Sequence, residues 1–255
     1  MPEGSASRVP AISVSNNFQT LPGAIAQRSP SEQAELRELY STRFRAIFPR
    51  DPASLDALQR QQTADATTET ALGLDAAFLL DRHPEVRQDA GIGAFVTFFG
   101  RSLKDHGNAL IERAGAATGL EHMPLGKWFG IRPPLVDFKF DRMRRRLSRS
   151  AFVLTDTYHV AVNAMAEGAP VVGVGIRADS QVGTLGDFKK QQLFCMFGLD
   201  AHYVALAGPE EIPDAGAALA AAIETARLQR SGAYGQLHDM RADYVARLTR
   251  AIGER

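Results

Sequence analysis

The stretch from Phe152 to Gly175, FVLTDTYHVAVNAMAEGAPVVGVG, decides the fold of this chain. An apolar run stands at each end, and about ten residues of helical character separate the two runs. Two buried strands that flank one helix are typical of a βαβ unit, because the helical crossover makes the strands parallel. The turn before Pro170 is predicted to need a positive φ at Gly168. The stretch therefore predicts a parallel α/β sheet.

The rest of the chain extends this alternation of strands and helices, which favours two parallel-sheet domains of the Rossmann-like type. Residues 1–90 are predicted as a reduced N-terminal α/β domain, with a disordered tail at 1–10. Residues 91–255 are predicted as the second domain, and the last helix, 234–252, is expected to cross back to the first. Asp51 is expected to cap a helix that begins at Pro52. Residues 71–80 are predicted as a loop and then a strand.

Composition narrows the functional classes. The chain has 255 residues, of which 45% are hydrophobic and 23% charged, as in a soluble globular protein. Its 29 basic and 29 acidic residues give a net charge of zero, so no overall excess of positive charge points to nucleic acid. A single cysteine excludes an intrachain disulfide, and the six histidines lack the spacing of a metal site. No signal peptide or membrane span is predicted, and the expected location is the cytoplasm.

The leading candidate for chemistry is His159, which follows the first strand of the βαβ unit. In open α/β sheets, ligands bind beyond the carboxyl ends of the strands. A histidine there can act as a general acid or base, and a histidine packed between neighbouring loops is the alternative. Asp156 is predicted either to orient His159 in catalysis or to cap the helix, with capping favoured. Thr157 and Tyr158 are predicted to contact the substrate.

Several cations stand at comparable strand-to-helix turns. Arg50 follows a strand-like run in the first half, where a guanidinium can bind a phosphate or carboxylate through two hydrogen bonds. Four further cations are predicted to line the same anion-binding cleft: Arg101, Lys104, Lys189 and Lys190. For each of them, an ordinary surface position is the alternative.

A separate group of five arginines lies between Arg142 and Arg149 on one basic helix. Such a row neutralises phosphates well and suggests a nucleic-acid patch. However, no aromatic side chains alternate with the arginines to stack on bases. The sequence therefore favours a solvated helix face over a nucleic-acid site.

Three segments resemble the polysaccharide pyruvyl transferase family when taken in order. The central segment, Thr155 to Pro170, has the family's Ser/Thr-Asp turn, histidine, alanine-rich helix and Gly-x-Pro turn. The segment Arg50 to Ser54 is similar to an Arg-Asp-x-x-Ser element. The segment Gly73 to Leu80 is similar to an Asp-x-x-Phe-x-Leu element. Members of the family often have a lysine after the central unit, and Lys189 or Lys190 stands at that place here.

The resemblance implies two Rossmann-like domains that face a cleft, as in GT-B glycosyltransferases. It also implies transfer of an enolpyruvyl group from phosphoenolpyruvate onto two hydroxyls of a sugar or glycan precursor, which gives a cyclic ketal. The donor is then a substrate, and no cofactor is expected. His159 is the implied acid or base, and Arg50 the implied holder of the donor.

Two departures keep alternatives open. Thr157 stands where many members have an arginine, and little sequence precedes the first predicted strand. A nucleotide-sugar-dependent glycosyltransferase of the GT-B type is the second hypothesis. A degenerate, non-catalytic member of the family is the third.

Overall fold

The protein is an α/β protein whose described strands form two separate parallel sheets, as predicted. The computed structural model describes residues 11–14, 18, 21–81, 94–100, 103–126, 136–176, 185–229 and 233–253. Residue contacts divide the chain into two units, one of 1–76 with 240–255 and one of 77–239. The predicted tail at 1–10 and the predicted boundary between 90 and 91 lie outside the described residues.

The first unit contains a three-stranded parallel sheet in the order β1-β2-β3. Its central strand β2 ends in the fully buried residues Ala46, Ile47 and Phe48. Near its amino-terminal end, a five-residue π-helical turn, Leu39–Arg43, joins α2 to β2. The strands and helices of this unit are β1 (Ala11–Val14), α1 (Leu21–Ala26), α2 (Pro30–Glu38), β2 (Phe44–Phe48), α3 (Pro52–Gln59) and β3 (Glu69–Thr70).

Local capping accounts for where α2 and α3 begin. Ser29 and Glu32 form a reciprocal capping box at the start of α2. Asp51 precedes Pro52 and accepts hydrogen bonds from the Ser54 backbone N–H at 2.8 Å and the Ser54 hydroxyl at 2.7 Å. The predicted cap of α3 by Asp51 is thus confirmed.

The strand predicted within residues 71–80 is wrong, because Ala76–Leu79 form a 3₁₀ helix. Only Phe78 of this helix is buried, and the three consecutive residues Gly73, Leu74 and Asp75 before it are all buried, so the segment lacks the alternating burial of a strand with one exposed face. Gly73 allows the chain to pass close to the end of β2. Its N–H donates to the Pro49 carbonyl at 2.7 Å, and a Cβ at Gly73 would lie 2.8 Å from the Phe48 Cβ.

The second unit contains a five-stranded parallel sheet in the order β5-β4-β6-β7-β8. The chain runs from β4 to β5 on one side and then returns to place β6 on the other side of β4. The elements are β4 (Ala94–Phe98), α4 (Gly107–Thr118), β5 (Glu121–Pro124), α5 (Val136–Ser148), β6 (Val153–Thr155), α6 (Tyr158–Ala166), β7 (Val171–Ile176), α7 (Leu185–Met196), β8 (Tyr203–Leu206) and α8 (Gly216–Leu228). The last helix, α9 (Ala233–Gly253), contributes residues to both units.

The central strands of this sheet are covered on both faces. Residues of β6 and β7 are almost all buried, which explains their continuous apolar runs. On one face, Phe152, Leu154 and Val172 pack in a cluster with residues of α4 and α8, among them Leu110 and Leu219. Among the described residues, no helix is long and apolar enough to cross a membrane.

The predicted βαβ unit is confirmed as β6, α6 and β7. Gly168 follows α6 with φ at +77°, in the left-handed region that residues with a Cβ rarely adopt. Its N–H donates to the Met165 carbonyl at 3.0 Å and so completes the end of the helix. The predicted positive φ of this turn is therefore confirmed.

Replacing Gly168 by valine is expected to lower the free energy of unfolding by about 1–3 kcal/mol, because a β-branched residue is strained at positive φ. Urea denaturation followed by circular dichroism measures the change. Gly168→Asn is the matched control, since asparagine tolerates the left-handed region. Equal stability of the valine and asparagine variants would show that the turn does not require this conformation.

Candidate functional site

The candidate site lies at the carboxyl ends of β4 and β6, where the connections of the second sheet diverge to opposite sides. In doubly wound sheets this switch point leaves a crevice in which ligands bind. Two segments meet there: the turn that follows β4 and the residues Thr155 to His159 that follow β6. The sequence prediction of a site after β6 therefore coincides with the switch point of the observed topology.

The buried carboxylate of Asp156 joins these two segments. It accepts hydrogen bonds from the backbone N–H of Gly100 at 2.5 Å and from that of Leu103 at 3.0 Å. It also accepts a hydrogen bond from the Thr157 hydroxyl at 2.9 Å. A buried carboxylate needs such donors to offset its loss of water. Asp156 therefore holds the turn after β4 against the end of β6.

The expectation that Asp156 caps α6 is wrong, because its carboxylate is directed to the β4 turn. Thr157 is the residue that precedes the helix, and no side chain caps the helix there. Thr155 instead organises the turn: its hydroxyl donates to the Phe98 carbonyl at 2.7 Å and accepts from the Thr157 N–H at 3.0 Å. The start of α6 thus presents its positive dipole end without a capping oxygen.

His159 is exposed in the first turn of α6. Its ring lies edge-on to the Tyr158 ring, with centroids 5.5 Å apart. The hydrogen bond at this residue goes to its backbone, where the Asn163 side-chain amide donates to the carbonyl at 2.7 Å. Within the described part of the chain, the imidazole nitrogens make no hydrogen bond, so the ring is accessible to a ligand.

A buried ion pair supports the site from α7. The Lys190 ammonium lies 2.5 Å from the Asp187 carboxylate, and both side chains are almost fully buried. The same ammonium donates to the backbone carbonyl of Asp156 at 2.6 Å and to that of Val174 at 3.3 Å. Lys190 therefore connects α7 to the carboxyl ends of β6 and β7.

Tyr203, which is partly buried, lies beside this ion pair, and its phenol oxygen is next to Gly175. Burial raises the pKa of the Tyr203 phenol well above its usual range, and the carboxylates of Asp187 and Asp156 raise it further. The phenol is therefore neutral, and it donates to the Asp187 backbone carbonyl at 3.4 Å. A Cβ at Gly175 would lie 2.1 Å from the phenol oxygen, so only glycine fits beneath it.

Comparison with known proteins decides the family. The family model described as polysaccharide pyruvyl transferase matches residues 22–177, which is more than half of the chain. The chain belongs to this family. The matched residues include Asp156 and His159, as well as the segments Arg50 to Ser54 and Gly73 to Leu80 that resemble the family.

Solved structures give a more distant similarity. A crystal structure of Anabaena Alr3699/HepE with UDP and glucose matches at 14% identity and a TM-score of 0.41, covering 94% of this chain and 71% of that one. The same protein with UDP-glucose matches at 13% identity and a TM-score of 0.42, covering 94% and 72%. At these TM-scores the matches carry no conclusion about the ligand of this pyruvyl transferase family member. No curated protein matches its sequence.

Arg50 and Asp75, one residue from each of these two family segments, form an ion pair within the first unit. The Arg50 guanidinium lies 2.9 Å from the Asp75 carboxylate, and both side chains are largely buried. Asp51, next in sequence, caps α3. Arg50 thus links the end of β2 to the segment before the 3₁₀ helix, and its predicted contact with the donor stays a prediction.

The other predicted binding residues occupy different environments. Lys104 is exposed in a short 3₁₀ helix, Lys104–His106, that follows the β4 turn. Lys189 is half-buried on α7. The Thr157 hydroxyl is bonded to Asp156. Arg101 lies outside the described residues, and the substrate contacts predicted for all these residues stay predictions.

Sequence reasoning did not predict that Asp75, Asp187 and Tyr203 contact predicted site residues, although Asp75 belongs to the segment that resembles the family's Asp-x-x-Phe-x-Leu element. A local signal existed for Asp187, because an aspartate three residues before a lysine on a helix stands on the same face. No comparable signal links Asp75 to Arg50, which is 25 residues away, or Tyr203 to Gly175.

Removing one partner of the Lys190–Asp187 pair is expected to be more harmful than removing both. Lys190→Met or Asp187→Leu leaves a buried charge without its partner, which costs about 3–5 kcal/mol of unfolding free energy. The double variant, which removes both charges, should be more stable than the sum of the single losses predicts. Urea denaturation of the four proteins measures the coupling.

The exposed Arg247–Asp243 pair of α9 is the matched control. Its disruption by Arg247→Met should change the unfolding free energy by at most about 1 kcal/mol, because water screens the pair. Strictly additive losses at Lys190 and Asp187 would contradict the assignment of a buried, coupled pair.

Proposed function

We propose that this protein transfers the pyruvyl group of phosphoenolpyruvate onto two hydroxyls of a sugar in a polysaccharide or glycan precursor. The observation that carries the proposal is an exposed histidine, His159, in the first turn of α6 at the switch point of the second sheet. Membership of the polysaccharide pyruvyl transferase family supports the reaction class. The family indicates that the acceptor is a sugar or glycan, without specifying which one.

The reaction has clear chemical requirements. A general acid protonates the C3 methylene of phosphoenolpyruvate, and the oxygen of one sugar hydroxyl bonds to C2 while a base takes its proton. The bond between C2 and the phosphate ester oxygen then breaks, and phosphate leaves with the electron pair. The oxygen of the second hydroxyl bonds to C2 as it loses its proton, which gives the cyclic ketal and inorganic phosphate.

His159 is the proposed general acid or base in these steps. An imidazole can exchange protons near neutral pH, and this ring is exposed with no hydrogen bond to another described residue. Its backbone is fixed by α6 and by the Asn163 amide. Asp156 is proposed to have a positioning role: its carboxylate holds the turn after β4 against the end of β6, just before the helix that carries His159.

The donor carries a phosphate and a carboxylate, so the site must supply positive charge. The uncapped start of α6 supplies backbone N–H groups of the kind that bind phosphate in many α/β proteins. Lys104 is exposed after the turn that Asp156 holds. We propose that Lys104, with Arg101 and Lys189, binds the donor beside Thr157 and Tyr158. The buried Lys190 then has a positioning role, because its ammonium is bonded to Asp187 and to two backbone carbonyls.

Calorimetric titration with phosphoenolpyruvate is the first test, run in parallel with UDP- and GDP-sugars. Saturable binding of phosphoenolpyruvate is expected, and Lys104→Gln should weaken it about five- to tenfold through loss of one charge-assisted contact. Lys139→Gln, which removes an exposed charge from α5, is the control. Binding of a nucleotide sugar alone would favour a glycosyltransferase, and binding of none of these ligands would favour a non-catalytic member.

Replacing His159 by alanine is expected to reduce transfer at least about 100-fold, the usual contribution of a general acid or base. The melting temperature should change little, because the ring is exposed. Phosphate release from phosphoenolpyruvate in the presence of a panel of acceptor glycans measures the activity. His238→Ala, at a histidine that is 80% exposed on α9, is the control. Unchanged turnover in His159→Ala with a large loss of stability would exclude the catalytic role.

A further inference from the structure

Helix α5 and the residue that follows it, Arg149, carry a surface stripe of three arginines and one phenylalanine. At about 100° per residue, Phe138, Arg142, Arg145 and Arg149 fall on one side of the helix. The buried side chains Met143 and Leu147 fall on the other side. Phe138 is 67% exposed, the second most exposed large apolar side chain among the described residues. The stripe therefore combines positive charge with an apolar group that is left in water.

The arginine side of α5 lines a groove in the second unit with a volume of about 440 Å³. Its floor is apolar and comes from Ala94 and Val96 of β4 and Met123 of β5. Ala94 begins β4, so the groove extends toward the amino end of that strand, whereas the candidate site lies at its carboxyl end. The polar residues that line the groove are Arg142, Arg145, Arg146, Arg149 and Ser150.

Two of the groove arginines, Arg142 and Arg145, are exposed to solvent. Within the described residues, Arg142 has no hydrogen-bond or ion-pair partner. Arg145 pairs with Asp141, but both side chains are about half exposed, so the pair is easily exchanged for another anion. Arg146 donates to the backbone carbonyls of Pro124 and Leu125, which carry no net charge.

Arg144, on the same helix, differs from the groove arginines because it is bonded inside the second unit. It pairs with the buried carboxylate of Glu167 and donates to the Asp81 backbone carbonyl, and its side chain is only 16% exposed. That arginine has a structural role within the unit. By contrast, Arg142 and Arg145 are exposed, so their guanidinium groups are accessible to an external anion.

We propose that this groove binds the phosphate headgroup of an anionic lipid and so brings the protein to a membrane surface. The guanidinium groups would contact the phosphate, while the apolar floor and Phe138 would contact the less polar region below the headgroup. A basic cluster on an amphipathic helix is typical of such recognition. A phosphate without an apolar part would leave the floor unused, and a nucleic acid would need aromatic side chains for stacking.

Sedimentation with lipid vesicles tests the proposal on the full chain. Binding is expected to vesicles of about 30% phosphatidylglycerol in phosphatidylcholine, to be absent from pure phosphatidylcholine, and to weaken as salt rises. Each arginine near an anionic surface is worth about a fivefold change in affinity, so Arg142→Gln with Arg145→Gln should weaken binding roughly 30-fold. Phe138→Ser should weaken it without changing the charge.

The matched control is Arg227→Gln with Arg250→Gln, which removes the same charge from exposed positions on α8 and α9. Circular dichroism confirms that each variant is folded. Absence of binding to the anionic vesicles, or an equal loss in the control, would overturn the proposal. So would arginine-dependent binding of inorganic phosphate or single-stranded RNA without vesicle binding, since the ligand would then be a free phosphate or a nucleic acid. These assays need neither phosphoenolpyruvate nor an acceptor, so their result is independent of the proposed reaction.

Discussion

The hydrogen bonds of the Asp156 carboxylate are the constraint on which the candidate site depends. A carboxylate buried at the end of β6 loses its hydrogen bonds to water, and the backbone N–H groups of Gly100 and Leu103 donate the hydrogen bonds that replace them. Gly100 has to be a glycine for this, because a Cβ there would lie 2.7 Å from the Thr157 hydroxyl. The turn after β4 and the turn after β6 are therefore fixed as one unit at the switch point of the sheet.

The Lys190 ammonium extends that unit to the next strand. It bonds the backbone carbonyls of Asp156 and Val174, and its own charge is balanced by Asp187. A buried lysine without such partners would lose its charge or destabilise the fold. The ends of β4, β6 and β7 are thus joined by buried charges, and exposed His159 extends from this rigid base. Placing an accessible ionisable group on rigid elements is what precise chemistry requires.

The sequence predicted the features that depend on neighbouring residues, such as helix caps and turns. It did not predict hydrogen bonds between residues that are far apart in the chain. The apolar runs around α6, the positive φ of Gly168 and the Asp51 cap all follow from local rules. Asp156 looked like another helix cap, because its actual donors are more than 50 residues away in the chain. Lys190 is predicted from the sequence as a ligand for an anion, and no local rule indicates that its ammonium donates to the Asp156 carbonyl, 34 residues away.

Thr157 is the clearest case in which the structure gives a reason for a departure from the family pattern. An arginine is expected at this position from the resemblance, yet the Thr157 hydroxyl donates to Asp156. A Cβ at residue 100 would lie only 2.7 Å from this hydroxyl oxygen, so the Thr157 hydroxyl fits beside a glycine at position 100. In the proposed reaction, the positive charge that an arginine would supply to the donor must come from other groups at the switch point. The uncapped start of α6 and the exposed Lys104 are therefore the groups proposed to bind the donor.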